Sequence, residues 1–429
     1  MKAVTRTLAE WLALQERVHA RAIDLGLGRV GAVALTLGVQ RPHYRVITVG
    51  GTNGKGSTVA TLEALLLAVG FSVGTLTSPH LLRYNERIHV AGREATDAEL
   101  VDVFDRIEAA RGDITLTFFE YNTLAALLLF ADHQVDVAVL EVGLGGRLDA
   151  VNLVDADVAV LCSVGFDHRD WLGDTLNAIG AEKAGIFRAG HPAVLGTPQM
   201  PDTVYAAIEQ LGARAVIAER QFSWNIGQGS WTYRGLTGEI TGLPAPRLAG
   251  AIQYRNAATA LAAVEALAGF AGPQLRSAPL TRAVIAAALA RVQLAGRFQI
   301  IEGPVEWILD VSHNEPAAQV LKANLQARPV TGRTLAVCGI LQDKDAGEIG
   351  RVLAGCAQLW IACALPGPRG GTAAALAARL APHLRVAERA DSVAEGCAKV
   401  CALARPGDRV LVFGSFATVT AGLEWLQLQ

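Results

Sequence analysis

Apolar residues occur along the chain in two recurring patterns, which predict alternating strands and helices. Continuous apolar runs such as residues 46–49 and 158–164 are typical of buried strands, because a strand covered on both faces carries apolar side chains on both. Segments with apolar residues every three or four positions, such as 7–22 and 96–110, predict helices. This alternation predicts an α/β fold whose parallel sheet has helices on both faces.

The same patterns place the other elements of the first part of the chain. Glycines in residues 23–30 and Pro79 in residues 77–88 predict loops there, and residues 222–233 predict a β-hairpin around a Gly-Gln-Gly turn. Further strands are predicted at 72–76, 135–140 and 193–195, and further helices at 57–69, from about 120, at 179–187, 256–269 and 281–289.

A new series of strands begins after the sequence LAGRF, residues 294–298, and predicts a second α/β domain. Strands are expected at 305–310, 334–339, 359–364 and 409–413, with helices between them. A chain of 429 residues is longer than a single hydrophobic core usually supports. We therefore expect two domains, residues 1–296 and the smaller 297–429.

The stretch VITVGGTNGKGS, residues 46–57, predicts a strand, a glycine-rich loop and a helix. Such a loop directs backbone N–H groups and a helix N-terminus at phosphate oxygens. Lys55 would reach the terminal phosphates, and the Ser57 hydroxyl lies where a Mg²⁺ ligand is needed. Gly56 separates the lysine from the serine, so the sequence is a variant of the usual phosphate-loop pattern.

Polar side chains follow four of the predicted strands, and the carboxyl ends of parallel strands form the ligand-binding edge of such a sheet. Glu141 and His168 could hold a metal ion there. Lys183 lies in a segment with few charges, where a desolvated lysine loses its proton more readily. The residues at this edge are Lys55 and Ser57, then Ser78, then Glu141, then Asp167 and His168.

The second domain offers a group of polar residues around one strand end. Asp310, His313 and Asn314 lie in the sequence WILDVSHNEP, and Arg297 precedes them by one strand. Together they could meet a nucleotide from the far side of a cleft between the domains. Each could equally be a turn or capping residue.

Composition and charge narrow the class of protein. The chain is 51% hydrophobic and 18% charged, with a formal net charge of −2, which gives no bulk attraction to nucleic acid or to anionic lipid. Its charged N-terminus does not resemble a signal peptide, and the nearly uncharged residues 64–82 are interrupted by glycines and Pro79. Six cysteines without C-x-x-C spacing predict reduced thiols, and Cys397 and Cys401 are interpreted as core residues. We expect a cytoplasmic protein.

A series of motifs closely resembles the bacterial bifunctional dihydrofolate synthase/folylpolyglutamate synthases, a family of the Mur ligase superfamily. In order, they are GTNGKGS, TSPHLLRYNERI, LTFFEY, EVGLGGRLDA, DHRDWLG, EKAGIF, NAATAL, AGRFQI, LDVSHN, DKD and GSF. The resemblance implies a phosphate-loop doubly wound sheet domain of the Mur ligase central type and a C-terminal Rossmann-like α/β domain. It also implies ATP-dependent ligation, in which a pterin-linked carboxylate becomes an acyl phosphate and is attacked by the amino group of glutamate.

The resemblance also assigns roles to residues of this chain. It implies ATP as cosubstrate, Mg²⁺ at two sites, dihydropteroate, reduced folates and L-glutamate as small-molecule substrates, no nucleic-acid or membrane partner, and a monomer. Lys55, His168 and Lys183 would be catalytic, with Lys183 carboxylated. The ATP contacts would be Gly54, Lys55, Gly56, Ser57, Asn256, Arg297 and Asp310. The metal ligands would be Ser57, Ser78, Glu141, His168 and Lys183. The pterin contacts would be Ala22, Ile23, Asp24, Leu25, Thr117, Phe118, Phe119, Glu120, Leu148, Asp149 and Ala150, and the glutamate contacts would be His313 and Ser415.

Three other functions compete with the bifunctional ligase. A folylpolyglutamate synthase would catalyse only chain lengthening. The stretches IDLGLGRV and LTFFEY favour a dihydropteroate site, but they do not exclude this alternative. A cell-wall precursor ligase is disfavoured because only 45 residues precede Val46, too few for a nucleotide-sugar domain. An ATP-binding regulator would bind nucleotide without glutamate-dependent phosphate release.

Overall fold

The computed structural model describes residues 6–271 and 278–428, which form two compact units. The first contains the described residues up to Arg247 together with Tyr254–Val292. The second contains Leu248–Gln253 and the described residues from Gln293 onward. Within the two described ranges, no helix combines the length and apolarity needed to cross a membrane.

The first unit is built on an eight-stranded sheet with the strand order β4-β3-β2-β5-β1-β6-β7-β8. Strands β2, β5, β1, β6, β7 and β8 pair in parallel, whereas β3 and β4 form an antiparallel edge. The strands are β1 Arg45–Gly50, β2 Val73–Leu76, β3 Ile88–Val90, β4 Arg93–Glu94, β5 Val137–Glu141, β6 Val158–Leu161, β7 Pro192–Leu195 and β8 Arg214–Ile217.

Side chains alternate between the two faces of this sheet, and each face is covered by its own apolar layer. In β1, Val46 belongs to one layer, while Ile47 and Val49 belong to the other. This two-sided burial explains why the strands are continuously apolar in sequence. The helices are α1 Leu8–Val18, α2 Gly28–Leu37, α3 Lys55–Ala68, α4 Asp97–Arg111, α5 Phe118–Asp132, α6 Arg169–Leu172, α7 Leu176–Ala184, α8 Asp202–Leu211, α9 Ile252–Ala271 and α10 Arg282–Arg291.

The predicted hairpin at residues 222–233 is confirmed, and a third strand joins it. The strands β9 Ser223–Ile226, β10 Trp231–Arg234 and β11 Glu239–Leu243 form an antiparallel sheet. Trp231 is buried in the apolar layer that contains residues of α3 and α9, so it contributes to the core.

The second unit is a six-stranded sheet with the order β12-β13-β17-β14-β15-β16, parallel except for the β12 edge. The strands are β12 Gln299–Ile301, β13 Glu306–Asp310, β14 Thr334–Cys338, β15 Leu359–Cys363, β16 Glu388–Ala390 and β17 Arg409–Phe413. The helices are α11 Glu315–Ala327, α12 Ala346–Leu353, α13 Ala373–Leu380, α14 Val393–Leu403 and α15 Phe416–Gln427.

Several local predictions were wrong. The expected loop at 23–30 ends in α2, which begins at Gly28, and the expected loop at 77–88 contains a short 3₁₀ helix, Tyr84–Arg87. Cys401 is exposed on α14 rather than buried, although Cys397 on the same helix is buried. The described cysteines are all free thiols, as expected.

Candidate active site

The phosphate loop connects β1 to α3 and depends on glycine at two positions. Gly51 and Gly54 have φ angles of +146° and +91°, which other residues rarely adopt. A Cβ atom on Gly54 would also lie 3.0 Å from Oδ1 of Asn256. The Lys55 ammonium donates to the carbonyl oxygen of Gly51 at 3.0 Å, so its side chain folds over the loop. Asn256 thus adjoins the loop, whose first helical turn contains Gly56 and the buried Ser57.

Hydrogen bonds from the segment after β6 hold the phosphate loop in place. The Thr52 hydroxyl donates to the Gly165 carbonyl at 3.1 Å and accepts from the Gly165 N–H at 3.0 Å. The Ser163 hydroxyl accepts from the Asn53 N–H at 3.1 Å and donates to the Asn53 carbonyl at 2.9 Å. Ser163 and Gly165 were not predicted from the sequence, because these contacts join segments about 110 positions apart.

The four strands expected to converge are neighbours in the sheet, in the order β2, β5, β1, β6. They lead to Ser78, to Glu141, to the phosphate loop and to His168, respectively. The Ser78 N–H donates to Oε2 of the buried Glu141 at 3.3 Å. His168 has a φ of +51°, and its N–H donates to Oδ1 of Asp167 at 2.9 Å. One edge of one sheet therefore carries all four groups.

Lys183 is buried near the C-terminal end of α7, and its environment disfavours the ammonium form. Burial and the positive charge of Lys55 lower its pKa to about 7, although the carboxylates of Asp167 and Asp149 act in the opposite direction. Lys183 thus lies within electrostatic range of both the phosphate loop and the histidine segment. At pH 7 about half of such a lysine is therefore neutral, and the neutral amine can act as a nucleophile toward CO₂.

The glycine-rich segment after β5 allows α7 to approach closely. A Cβ atom on Gly146 would lie 2.9 Å from the carbonyl oxygens of Glu182 and Lys183, closer than side chains tolerate. Asp149 follows in the same segment and accepts a hydrogen bond from the Leu144 N–H at 2.7 Å. Its burial raises the pKa of Asp149 to about 6. Glycine at position 146 therefore permits the close approach of α7.

The three stretches expected to contact the pterin substrate lie together in the first unit. Ala22–Leu25 lies in the connection between α1 and α2, and Thr117–Glu120 begins α5. Leu148–Ala150 leads into a 3₁₀ helix at Ala150–Leu153. Arg29 pairs with Asp24 at 2.8 Å and donates to Oε1 of Glu120 at 3.2 Å. The Gly26 N–H donates to the Leu148 carbonyl at 3.2 Å. In the sequence, only the family resemblance groups these stretches, and Arg29 is not among the predicted contacts.

Aromatic rings from α5 face the strand-end segments. The Phe119 ring would be 2.8 Å from a Cβ atom on Gly143, so only glycine fits there. The Phe118 ring makes an edge contact with Tyr84 at 5.7 Å between centroids, and the Arg87 guanidinium lies 5.2 Å from the Phe118 ring centroid. Arg87 is a further residue that the sequence analysis did not single out.

Arg87 is a buried cation next to the predicted metal ligands. Its Nε donates to Nδ1 of His80 at 2.7 Å. Burial lowers the pKa of Arg87, and the negative charge of Glu141 offsets part of this effect. Burial and the charge of Arg87 lower the pKa of His80 to about 4. His80 is therefore neutral at pH 7 and serves as a hydrogen-bond acceptor.

The second unit groups its predicted residues at the carboxyl ends of β13 and β17. The buried Asp310 carboxylate accepts from the Phe298 N–H at 2.8 Å, and burial raises its pKa. The Arg297 guanidinium lies 5.0 Å from the centroid of the Phe416 ring, and the His313 ring lies 6.3 Å from the same centroid. Arg297 and His313 thus lie near the same Phe416 ring. In the sequence, Phe416 was identified only as part of the GSF motif.

Three predicted site residues have a defined structural role at helix N-termini. Thr117, Asn314 and Ser415 each accept a backbone hydrogen bond as the N-cap of α5, α11 and α15, respectively. Glu120 completes the cap of α5 by accepting from the Thr117 N–H at 2.7 Å. These capping contacts account for the side-chain orientations of Thr117, Asn314 and Ser415. The ligand-binding roles predicted for these residues remain predictions.

The donor set at the sheet edge suits a hard cation bound with phosphate. Across residues 6–271 and 278–428, no three His, Cys, Asp or Glu side chains form a metal-binding group. The expected ligands are two serine hydroxyls, the Glu141 carboxylate, the His168 imidazole and a carboxylated Lys183, so most of the ligand atoms are oxygens. Mg²⁺ commonly takes few protein ligands and completes its coordination with water and substrate phosphates. The residues present therefore fit such an ion.

Comparison with known proteins gives matches in both units. The Mur ligase middle domain matches residues 49–217, and the glutamate ligase domain of Mur ligases matches residues 296–416. The dihydrofolate synthase/folylpolyglutamate synthase of Escherichia coli K12 is 45% identical over 419 residues, 97% of this chain and 95% of that protein. The Haemophilus influenzae protein of the same name is 40% identical over 437 residues, 97% of this chain and 96% of that protein.

A solved structure has a similar fold over its whole length. E. coli FolC in complex with DHPP and ADP superposes with a TM-score of 0.92 and 43% identity, covering 99% of this chain and 98% of that chain.

Proposed function

The chain belongs to the dihydrofolate synthase/folylpolyglutamate synthase family of Mur ligases, and from this premise we propose that it is a bifunctional ATP-dependent ligase. It adds L-glutamate to dihydropteroate, giving dihydrofolate, and adds further glutamates to reduced folates. The observation that carries this proposal is the convergence of the phosphate loop, Glu141, His168 and Lys183 at one sheet edge. The acting form is a cytoplasmic monomer.

The reaction forms and then breaks an acyl phosphate. A carboxylate oxygen of the pterin substrate attacks the γ-phosphorus of ATP, and ADP leaves. The amino group of glutamate then attacks the acyl carbon, and phosphate leaves as the amide bond forms. Such chemistry depends on charge neutralisation and alignment of the reactants more than on a protein nucleophile. Lys55 and the N–H groups of Gly54–Ser57 would bind the phosphates, and Asn256, Arg297 and Asp310 the rest of the nucleotide.

Ser57, Ser78, Glu141 and His168 would hold Mg²⁺, with a carboxylated Lys183 on a second ion. When bound, Mg²⁺ neutralises the phosphate charge that develops during transfer. The supporting observations are the buried Glu141 carboxylate beside Ser78 and the lowered pKa of Lys183. The neutral amine of Lys183 can take up CO₂ and release a proton, which leaves an anionic carbamate.

The substrates would occupy the remaining predicted residues. The pterin would lie against Ala22–Leu25, Thr117–Glu120 and Leu148–Ala150, which the contacts of Arg29 and Gly26 bring together. The incoming glutamate would meet His313 and Ser415. A solved relative described as bifunctional folylpolyglutamate synthase/dihydrofolate synthase with Mn, AMPPNP and L-Glutamate bound has a TM-score of 0.89 and 42% identity, and covers 99% of this chain and 98% of that chain.

The test compares two acceptor substrates in one ADP-release assay with glutamate and ATP. The bifunctional ligase releases ADP with dihydropteroate and with tetrahydrofolate, and each release requires glutamate. Release with tetrahydrofolate alone would identify a folylpolyglutamate synthase instead. ATP binding without glutamate-dependent ADP release in either case would indicate a regulator.

A further inference from the structure

Arg29 in α2 joins two carboxylates that come from different segments of the first unit. Its NH1 lies 2.8 Å from Oδ2 of Asp24, and its NH2 donates to Oε1 of Glu120 at 3.2 Å. A third contact fixes the same guanidinium, because NH2 also donates to the Asp24 carbonyl at 2.6 Å. The planar fork of arginine can bridge two acceptors in this way, whereas the single ammonium of lysine cannot hold the same geometry.

The two carboxylates are also held from their other sides. Glu120 is buried and accepts from the Thr117 N–H at 2.7 Å at the start of α5. Asp24 lies 3.1 Å from Nε2 of His19, and Nδ1 of His19 lies 2.9 Å from the Thr115 hydroxyl. The segment before α2 and the start of α5 are therefore joined by a continuous chain of polar contacts, with Arg29 at its centre.

We propose that Arg29 is a positioning residue that selects for dihydropteroate as the acceptor, an inference that rests on the proposed function. The carboxylate of dihydropteroate is attached directly to its benzoyl ring, which only a short methylene–amino link joins to the pterin, so the distance between the pterin and the reacting oxygen varies little. A shift of the pterin pocket then moves the reacting oxygen by a similar distance. A folate that already carries glutamate has rotatable bonds between these groups and adapts to the shift.

The experiment measures kcat and KM for both acceptors in the wild type and in Arg29→Gln and Arg29→Lys. Because a displacement of about 1 Å can reduce a rate about 100-fold, we expect kcat/KM for dihydropteroate to fall about 30-fold or more in Arg29→Gln. We expect kcat/KM for tetrahydrofolate and KM for ATP to change less than about 3-fold. Arg29→Lys restores the charge but not the fork, so it recovers little of the dihydropteroate activity.

Arg21→Gln is the matched control, because Arg21 carries the same charge near the same carboxylate but is largely exposed, and its NH1 lies 4.0 Å from Oδ1 of Asp24. It retains the wild-type ratio of the two activities. His19→Asn is the second variant if Arg29→Gln does not fold, and it shifts the ratio in the same direction by a smaller factor.

Equal losses with both acceptors, or an unchanged ratio in a folded Arg29→Gln protein, would overturn the role of Arg29 while the proposed function stands. A wild-type protein that uses tetrahydrofolate but not dihydropteroate would overturn both.

Discussion

The positive charge of Lys55 in the phosphate loop acts on Lys183 in α7 and helps burial lower the pKa of Lys183 to about 7. The two lysines thus lie within electrostatic range of each other. The Lys55 side chain lies over the phosphate loop, where it donates to the Gly51 carbonyl oxygen at 3.0 Å. Lys183 is close to half-neutral at pH 7, which makes it the lysine suited to carboxylation.

The first prediction concerns the pH dependence of Lys183. The pKa of Lys183 in the folded protein lies below the ordinary value of 10.5, so the unfolded chain binds more protons than the folded chain between pH 7 and pH 10.5. The unmodified lysine therefore makes the free energy of unfolding rise with pH across that range. Carbamate occupancy should fall as the pH drops below about 7, because only the neutral amine takes up CO₂. Carbon-13 NMR with labelled bicarbonate measures the carbamate directly.

Lys183→Met is the control for that experiment. It should give no carbamate signal and should lose the rise in unfolding free energy between pH 7 and pH 10.5, as measured by urea denaturation. A labelled signal that persists in Lys183→Met, or a wild-type signal that does not change with pH, would contradict the assignment.

The second prediction concerns Lys55 as the cation of the phosphate site. Lys55→Ala should lower kcat about 100-fold or more, because removing one preorganised charge from a transferring phosphate has an effect of that order. Steady-state ADP release measures it. Lys399→Ala, which removes a surface lysine paired with Glu395, should leave the rate unchanged. Near-normal turnover in Lys55→Ala would mean that ATP binds elsewhere.

The third prediction separates backbone strain from contact in the phosphate loop. Gly54 and Gly70 both have positive φ angles, +91° and +99°, so alanine should destabilise each position by about 1–2 kcal/mol. Only at Gly54 would the added Cβ meet a neighbour, Asn256 Oδ1 at 3.0 Å, whereas nothing lies within 4 Å at Gly70. We therefore expect Gly54→Ala alone to raise KM for ATP, by about 10-fold, with similar losses of thermal stability in both variants. Equal KM values in the two variants would disprove a nucleotide role for this contact.

The fourth prediction concerns the metal requirement. Glu141→Gln removes the buried carboxylate that accepts from the Ser78 N–H, so the Mg²⁺ concentration for half-maximal rate should rise at least about 10-fold. A titration of activity against Mg²⁺ at fixed ATP provides the measurement. Asp170→Asn, an exposed carboxylate in the segment of His168, is the control and should leave the requirement unchanged. The same midpoint for Glu141→Gln and wild type would exclude Glu141 as a ligand.

The sequence predicted the sheet and the edge that carries the candidate site residues because both depend on local patterns. Buried strands are apolar throughout, and parallel strands present their following residues at one edge, so the neighbours β2, β5, β1 and β6 could be expected to place Glu141 and His168 together. Helix α2 was missed because Gly28 and Gly31 have low helix propensity, which burial of Val30 and Val33 overrides.

The parts of the site that the sequence did not reveal are contacts between distant segments. Ser163 is 110 positions from the Asn53 backbone that it holds, and Arg29 is 91 positions from Glu120. Neither residue type signals such a partner in isolation, since serines and arginines are common on surfaces. The three-residue strands β12 and β16 were missed for another reason, because so short a run carries little periodicity.

In the proposed reaction, this sheet edge activates a carboxylate by phosphorylation for attack by glutamate. The most direct test uses dihydropteroate whose carboxylate carries oxygen-18, with ATP and glutamate, and analyses the released phosphate by mass spectrometry. Each turnover should transfer one labelled oxygen to phosphate. Glutamate-dependent product formation with unlabelled phosphate would contradict it.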